Sequence, residues 1–269
     1  MVRQLLNEAA KRLTQSDSPL LDARILLAKA MRRENAALIF DMPNENELKI
    51  FNGYIEKRIL GIPVAYILGE KEFMGLTFHL NEDTLIPRPD TECLVERVVE
   101  NNTFSSPKVL DLCTGSGCIG ISLAKFIKNS ICHLTDISEG AMKMARENTA
   151  INKVEGRTSV FKLDVLNDPI LPQYDIIVSN PPYIEKCIVP TLEVSRFEPH
   201  IALDGGSDGL DFYRVIAQKA YDALCTGGML ALEIGYDQGE SVKNLLQDFS
   251  KVSLYKDYAN NNRVIIAIK

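Results

Sequence analysis

Two clusters of residues in this sequence have types and spacings that could do chemistry. The first is Val109-Leu110-Asp111-Leu112-Cys113-Thr114-Gly115-Ser116-Gly117-Cys118-Ile119-Gly120, an apolar run that enters a glycine turn and leaves as a helix. Glycine lets backbone approach a ligand where a Cβ would clash, and the amides of a helix N-terminus offer donors. Asp136 follows 19 residues beyond Gly117. A carboxylate placed there, just after a second strand, accepts the hydroxyl protons of a ribose. Gly115, Gly117 and Gly120 also satisfy G-x-G-x-x-G, so a dinucleotide site is an open alternative. Asp136 also stands where a helix N-cap is expected, although Ser138 can fill that post.

The second cluster is Asn180-Pro181-Pro182-Tyr183, at the end of the apolar run Asp175-Ile176-Ile177-Val178-Ser179. Consecutive prolines fix the backbone and leave carbonyls without neighbouring amide donors. The Asn180 side-chain oxygen and the Pro181 carbonyl can therefore accept both hydrogens of one NH₂ group. An amide or aryl amine is a poor nucleophile because its lone pair is delocalised. Two acceptors on its hydrogens favour the pyramidal, charge-bearing transition state. Tyr183 offers an aromatic face to a planar group or a cation. Asn180, Pro181 and Tyr183 are thus the catalytic candidates, and Pro182 completes the acceptor site. Arg88, in Pro87-Arg88-Pro89-Asp90, is either a substrate contact or half of a salt-bridged turn. The long segment Phe197–Leu210, with Gly205-Gly206 and Asp208-Gly209, is either a functional lid or a connector.

The elements needed to position these residues are legible around them. Residues 1 to about 60 read as helical. Leu5, Ala9 and Leu13 form one stripe. Ser18-Pro19 reads as an N-cap and first helical residue, followed by Leu21, Ile25 and Ala28. Leu48, Phe51, Ile55 and Ile59 form a third stripe, stopped by Gly61 and Pro63. Phe73, Leu76, Phe78 and Leu80, with Leu85-Ile86 beyond, read as a β-hairpin that ends at Pro87-Arg88-Pro89. From Thr91 helices and apolar strands alternate, which indicates a parallel doubly wound sheet. The last two strands, 252–257 and 264–268, are joined by Asn260-Asn261-Asn262 and must be antiparallel to each other.

Composition narrows the function classes. The formal net charge is −6, which counts against a protein held on nucleic acid by phosphate contacts. Through residue 75 there are 11 Lys/Arg and 10 Asp/Glu, and the remainder has 19 and 26. The acidic surplus therefore belongs to the larger part. Cys93, Cys113, Cys118, Cys132, Cys187 and Cys225 form no CxxC, and His79, His133 and His200 stand apart. The expectation is free, buried thiols and no metal. No apolar run is long enough to span a bilayer, and the N-terminus lacks signal-peptide character. A cytoplasmic monomer without membrane or direct nucleic-acid partners is the expectation.

Asn-Pro-Pro-Tyr after the fourth strand resembles the amino-group methyltransferases. Further segments stand in matching order: Leu85 through Glu92, Asp111 through Gly120, Ser179 through Ile184, Phe197 through Leu210, and Glu233-Ile234-Gly235. Together they resemble the release-factor glutamine methyltransferases of the HemK/PrmC type. The resemblance covers nearly the whole chain and is weakest over residues 1–60. It implies a Rossmann-like class I methyltransferase sheet of seven strands, the last antiparallel. It also implies an N-terminal helical substrate-recognition domain (1–72), a β-hairpin linker (73–90) and an S-adenosylmethionine-dependent catalytic domain (91–269). By position, Asp111 and Cys113 through Gly117 (Cys113, Thr114, Gly115, Ser116, Gly117) would hold the methionine end of S-adenosylmethionine. Asp136 would take its ribose and Asp164-Val165 its adenine, with Asn180 beside it. Asn180, Pro181, Pro182, Tyr183 and Arg88 would hold the glutamine amide of the Gly-Gly-Gln motif in a peptide chain release factor. Many relatives carry glycine at the position of Cys113 and an aromatic at that of Val165. A DNA adenine methyltransferase and an NAD-dependent oxidoreductase are the competing readings. The first must also flip a base and bind phosphates, and the second needs no Asn-Pro-Pro-Tyr.

Overall fold

The computed structural model describes residues 2–33 and 42–269. Residues 34–41 fall within the stretch expected to be helical and lie outside the described residues, as does Met1. The chain divides into two compact units, Met1–Glu70 and Lys71–Lys269. Among the described residues no helix is long and apolar enough to cross a membrane.

The first unit contains α1 (Val2–Arg12), α2 (Pro19–Met31), α3 (Glu45–Ile59) and the single turn α4 (Val64–Leu68). Its core is Leu13, Ala23, Leu26, Leu27, Phe51, Ile55 and neighbouring side chains, all buried. Only part of the expected stripe of α2 is buried: Ala28 packs inward but Leu21 is exposed, and Ala23, Leu26, Leu27 and Ala30 make up most of the buried face. The run Leu-Leu-Asp-Ala-Arg-Ile-Leu-Leu-Ala contains overlapping helical stripes, and packing selects one. Ser18 precedes Pro19 as expected, but its side chain makes no capping hydrogen bond. The start of α3 is a capping box, with Glu47 N donating to Asn44 Oδ1 at 2.9 Å and Asn44 N to Glu47 Oε2 at 2.7 Å. A half-buried ion pair, Arg58 Nε to Asp22 Oδ2 at 2.8 Å, ties α3 to α2.

The second unit begins with a hairpin of β1 (Glu70–Phe73) and β2 (Leu76–His79). Its turn residues Met74 and Gly75 have φ of 52° and 70°, the left-handed pair that a two-residue type I′ turn requires. The hairpin thus closes earlier than expected, and Leu85-Ile86 lie outside any strand. Then come α5 (Pro89–Asn101), β3 (Lys108–Leu112), α6 (Cys118–Phe126), β4 (Ile131–Asp136), α7 (Glu139–Ile151), β5 (Thr158–Lys162), β6 (Tyr174–Ser179), α8 (Asp211–Ala223), β7 (Leu224–Glu233), α9 (Gly239–Asn244), β8 (Lys251–Lys256) and β9 (Asn262–Ile268). Pro89 opens α5 rather than merely preceding it, since the first helical turn does not need its missing N–H. The last helix, α9, ends at Asn244. Beyond it, turns with Leu246 N→Lys243 O and Phe249 N→Leu246 O bonds still bury Leu246 and Phe249.

The strands form one seven-stranded sheet in the order β5-β4-β3-β6-β7-β9-β8. Neighbours pair in parallel from β5 to β7, and β9 is antiparallel to both β7 and β8. Alternation along each strand feeds two cores. Val109, Ile176, Val178, Met229 and Ala231 face α5, α6 and α7, and Leu110, Leu112, Ile177, Leu230 and Leu232 face α8 and α9. The hairpin is stitched to α7: His79 N donates to Asn148 Oδ1 (2.7 Å), and Asn148 Nδ2 and Asn152 Nδ2 donate to the carbonyls of His79 (2.9 Å) and Thr77 (3.0 Å).

Phe51 is fully buried at the centre of the helical unit. Phe51→Ala should destabilise that unit by about 3–5 kcal/mol. Hydrogen exchange should show lost protection in α1 to α3, while the amides of β3, β4 and β6 remain protected.

Candidate active site

The chain leaves β3 through α6 toward β4 on one side, whereas β6 and its successors lie on the other. The loops after β3 and β6 therefore diverge at the carboxyl edge of the sheet and open a crevice. A cavity of about 210 Å³ fills it.

One wall is the turn after β3. Cys113, Gly115 and Gly117 have φ of 58°, 55° and 84°, so the turn is built from left-handed residues. Asp111 holds it from behind: its Oδ2 accepts from Gly120 N at 2.9 Å and from Thr114 Oγ1 at 2.5 Å. A Cβ on Gly120 would lie 2.9 Å from that oxygen. Burial pushes the Asp111 carboxyl up to about 7, against the pull of these two hydrogen bonds. Cys113, Thr114, Gly115 and Ser116 line the cavity, whereas Asp111 and Gly117 do not. A Cβ on Gly117 would meet Ile121 Cδ1 at 2.8 Å. These two residues shape the turn from behind that lining.

Asp136 lines the cavity from the end of β4. Its Oδ2 accepts from Gly115 N and its Oδ1 from Ser138 N, each at 2.9 Å. Ser138 itself caps α7 by accepting from Ala141 N at 3.2 Å, so the cap does not need Asp136. A carboxylate has about four acceptor positions, so these backbone donors do not exhaust it and capacity remains for a ligand. Asp164 and Val165 form the next part of the wall. The Asp164 carboxylate is spent on its own loop, accepting from Leu166 N (2.9 Å) and Asn167 Nδ2 (2.8 Å), and the Asn167 bond draws it below its ordinary range. Lys219 Nζ donates to the carbonyls of Val165 (2.9 Å), Leu166 (3.1 Å) and Asp168 (2.7 Å), which pins that loop. Ile137, Leu163 and Phe212 complete an apolar floor. None of these three was singled out by sequence. For Phe212 no local signal exists, since it is one apolar residue of an amphipathic helix. The set fits an adenosyl group: acceptors for ribose hydroxyls, an apolar slot with an aromatic side chain for a flat base, and a polar turn beyond.

A smaller cavity of about 110 Å³ lies beside the first, lined by Pro181, Tyr183, Ile184, Val194, Leu203 and Glu233. Leu85, Arg88, Asn180 and Ala202 line both. The Asn180 amide nitrogen donates to Thr91 Oγ1 at 3.4 Å. Pro182 lines the larger cavity and Pro181 and Tyr183 the smaller, so the four-residue motif is split across the junction. Tyr183 is held through its backbone, whose carbonyl accepts from Gln238 Nε2 at 3.0 Å. A Cβ on Gly205 or Gly209 would lie 2.6 Å or 2.4 Å from Tyr183 backbone atoms, which accounts for both glycines. Burial pushes the Tyr183 phenol up to about 12.

Arg88 pairs with Glu198 while lining both cavities. Glu198 is buried and also accepts from Ile86 N at 3.0 Å. The segment 197–210 is therefore a pinned wall, contributing Ile201 and Ala202 to the larger cavity. All six cysteines are free, but only Cys93, Cys118 and Cys132 are buried, and Cys187 is exposed. Burial, with Asp136 and Asp111 adding to it, raises the Cys113 thiol above its ordinary value. Among the described residues no group of three or more His, Cys, Asp or Glu is placed to hold a metal ion.

Known proteins resemble this chain. Residues 89–196 match the family model "Methyltransferase small domain", and residues 4–69 match "PrmC N-terminal domain". A release factor glutamine methyltransferase of Clostridium acetobutylicum is 41% identical over 258 residues, covering 92% of this chain and 90% of the relative. One from Moorella thermoacetica is 37% identical over 278 residues, covering 100% and 98%. Among solved structures, a methyltransferase from Pyrococcus furiosus superposes with a TM-score of 0.53 at 18% identity, over 73% of this chain and 90% of that one, a likeness of fold. The chain belongs to the release factor glutamine methyltransferase family, and its methyl donor is S-adenosylmethionine.

Proposed function

We propose that this chain methylates the side-chain amide nitrogen of a glutamine, within the Gly-Gly-Gln motif of peptide chain release factors. The observation that carries the reading is the position of Asn180 at the junction of the two cavities, with Pro181 and Tyr183 lining the smaller one. The relatives' names supply the protein substrate.

S-adenosylmethionine, when bound, supplies an electrophilic methyl group on a sulfonium. The Cys113–Ser116 turn would receive its methionine end, Asp136 its ribose hydroxyls, and the wall with Val165 and Phe212 its adenine. Phe212 would offer the base an aromatic side chain. Asp111 and Gly117 act by shaping the turn. The Asn180 side-chain oxygen and the Pro181 carbonyl accept the two amide hydrogens and turn the nitrogen toward the larger cavity. As the C–N bond forms the S–CH₃ bond breaks, its electron pair staying on sulfur; positive charge develops on nitrogen and both interactions strengthen, so they lower the barrier instead of merely binding substrate. One proton then passes from the nitrogen to solvent water. Tyr183 packs on the planar amide. The helical unit recognises the body of the release factor, and Arg88 stands at the entrance to the acceptor cavity.

Incubation with labelled S-adenosylmethionine and a release factor, followed by peptide mapping, tests the reading. Label on the glutamine of Gly-Gly-Gln supports it, and label elsewhere or none refutes it. Asp136→Ala should weaken cofactor binding roughly ten- to hundredfold, because charge-assisted hydrogen bonds are worth about 1.5–3 kcal/mol. An unchanged dissociation constant by calorimetry would remove Asp136 from the ribose site. Asn180→Ala should lower the single-turnover rate by about 10²–10³ with little change in cofactor affinity. Turnover near that of the unmodified chain would exclude the two-acceptor mechanism.

A further inference from the structure

Three stretches of chain, far apart in sequence, meet in the smaller cavity. Asn180, Pro181, Tyr183 and Ile184 follow β6, Ala202 and Leu203 lie in the segment before α8, and Glu233 ends β7. Two acceptors can grip one NH₂ group only if the spacing between them is held. One of the two, the Pro181 carbonyl, belongs to the backbone, so its position depends on what fixes the chain around it.

Gln238, at the N-cap of α9, bonds to all three stretches and lines neither cavity. Its Nε2 donates to the Tyr183 carbonyl at 3.0 Å and to the Gly209 carbonyl at 3.2 Å. Its Oε1 accepts from Gly235 N, just beyond β7, at 3.0 Å. A carbonyl only accepts and a backbone N–H only donates. The orientation of this amide is therefore fixed by groups that neither titrate nor exchange roles. Room is made for it on both sides: a Cβ on Gly209 would lie 2.8 Å from Gln238 Nε2, and one on Gly235 would lie 2.9 Å from Gln238 Oε1. The first two stretches are also bonded to each other. Ile184 N donates to Leu203 O (3.0 Å), Gly205 N to Ile184 O (2.8 Å) and Lys186 N to Gly206 O (2.8 Å). Tyr183 stands between this short ladder and the two prolines, so holding its carbonyl fixes one end of the acceptor segment.

We propose that Gln238 is a positioning residue for methyl transfer: by clamping Tyr183, Gly209 and Gly235 together, it holds the Pro181 carbonyl and the Asn180 side chain at the spacing that one NH₂ group requires. The inference rests on the reading above that the acceptor is an amide NH₂. The residues assigned to S-adenosylmethionine line the larger cavity, whereas the clamped stretches meet in the smaller one. The clamp therefore acts on turnover and not on cofactor affinity.

Two measurements on the full-length protein test this. The first needs no substrate: hydrogen exchange of the Ile184, Lys186 and Gly205 amides, followed by NMR. Exchange should be about tenfold faster in Gln238→Met, which keeps the length of the side chain but loses its hydrogen bonds. The amides of β3 and β4 should be unaffected. The second is methylation of a release factor. Gln238→Met should lower kcat by about tenfold or more, with a smaller change in KM and an unchanged S-adenosylmethionine Kd. Gln238→Glu, which sets an oxygen where two carbonyls need a donor, should slow turnover in the same sense. Unchanged exchange in Gln238→Met overturns the proposal, as does faster exchange with an unchanged kcat. Equal loss of protection in β3 and β4, or a weakened cofactor Kd, marks a residue that only stabilises the fold and overturns it as well. If the unsubstituted protein methylates no release factor, the functional reading fails, and the exchange measurement still decides whether the clamp exists.

Discussion

The site depends first on a buried carboxylate. Asp111 has no exposed surface and lies beneath the turn after β3. Removing a carboxylate from water is costly unless donors replace the lost hydration. Here the donors are the Gly120 amide in the first turn of α6 and the Thr114 hydroxyl. The same two bonds that make Asp111 tolerable fix where α6 begins and how the turn between them must bend. The left-handed residues follow from that bend. The Gly115 amide is thereby directed at Asp136, which orients the second carboxylate in turn. A cofactor-binding edge is thus assembled from one hidden carboxyl outward.

The acceptor side is held by backbone rather than by charge. Pro181 and Pro182 remove two amide donors and fix two φ angles. Gly205 and Gly209 let the following segment lie directly against the Tyr183 backbone, and Gln238 Nε2 bridges the carbonyls of Tyr183 (3.0 Å) and Gly209 (3.2 Å). Such a clamp leaves the Pro181 carbonyl little freedom to follow its ligand. A preorganised neutral dipole suits this chemistry. A carboxylate in place of Asn180 would attract a sulfonium strongly before reaction, whereas an amide oxygen gains most as charge moves onto nitrogen.

What was legible in the sequence is what must be contiguous. A strand, a glycine turn and a helix start occupy a dozen consecutive residues because one backbone segment has to do all three jobs, and Asn180–Tyr183 are adjacent for the same reason. Asp136 was legible because the spacing between a first and second parallel strand is nearly constant. The sheet and its antiparallel end followed from the alternation of elements. Thr91, Phe212 and Glu198 were not legible as site residues. Thr91 and Phe212 are brought to the crevice by topology, Glu198 is tied to it through Arg88, and each looks locally ordinary. Glu233 carried a signal in retrospect, an acid that ends an otherwise apolar buried strand, though it was read only as part of a family segment. The face of α2 was placed only in part because a helix rich in Leu and Ala on all sides does not encode its own orientation.

The crevice draws on residues from Asp83 to Glu233, and its two sides come together only where β3, β6 and β7 lie side by side. No short fragment contains both sides. Parallel pairings of this kind close long loops and form late, so a chain still folding offers S-adenosylmethionine nothing to bind. A ligand that binds only the finished fold stabilises it by mass action, by about 2.7 kcal/mol at a hundredfold excess over its dissociation constant. Binding of the methyl donor and stability of the fold are therefore one linked equilibrium, and the finished crevice is what couples them.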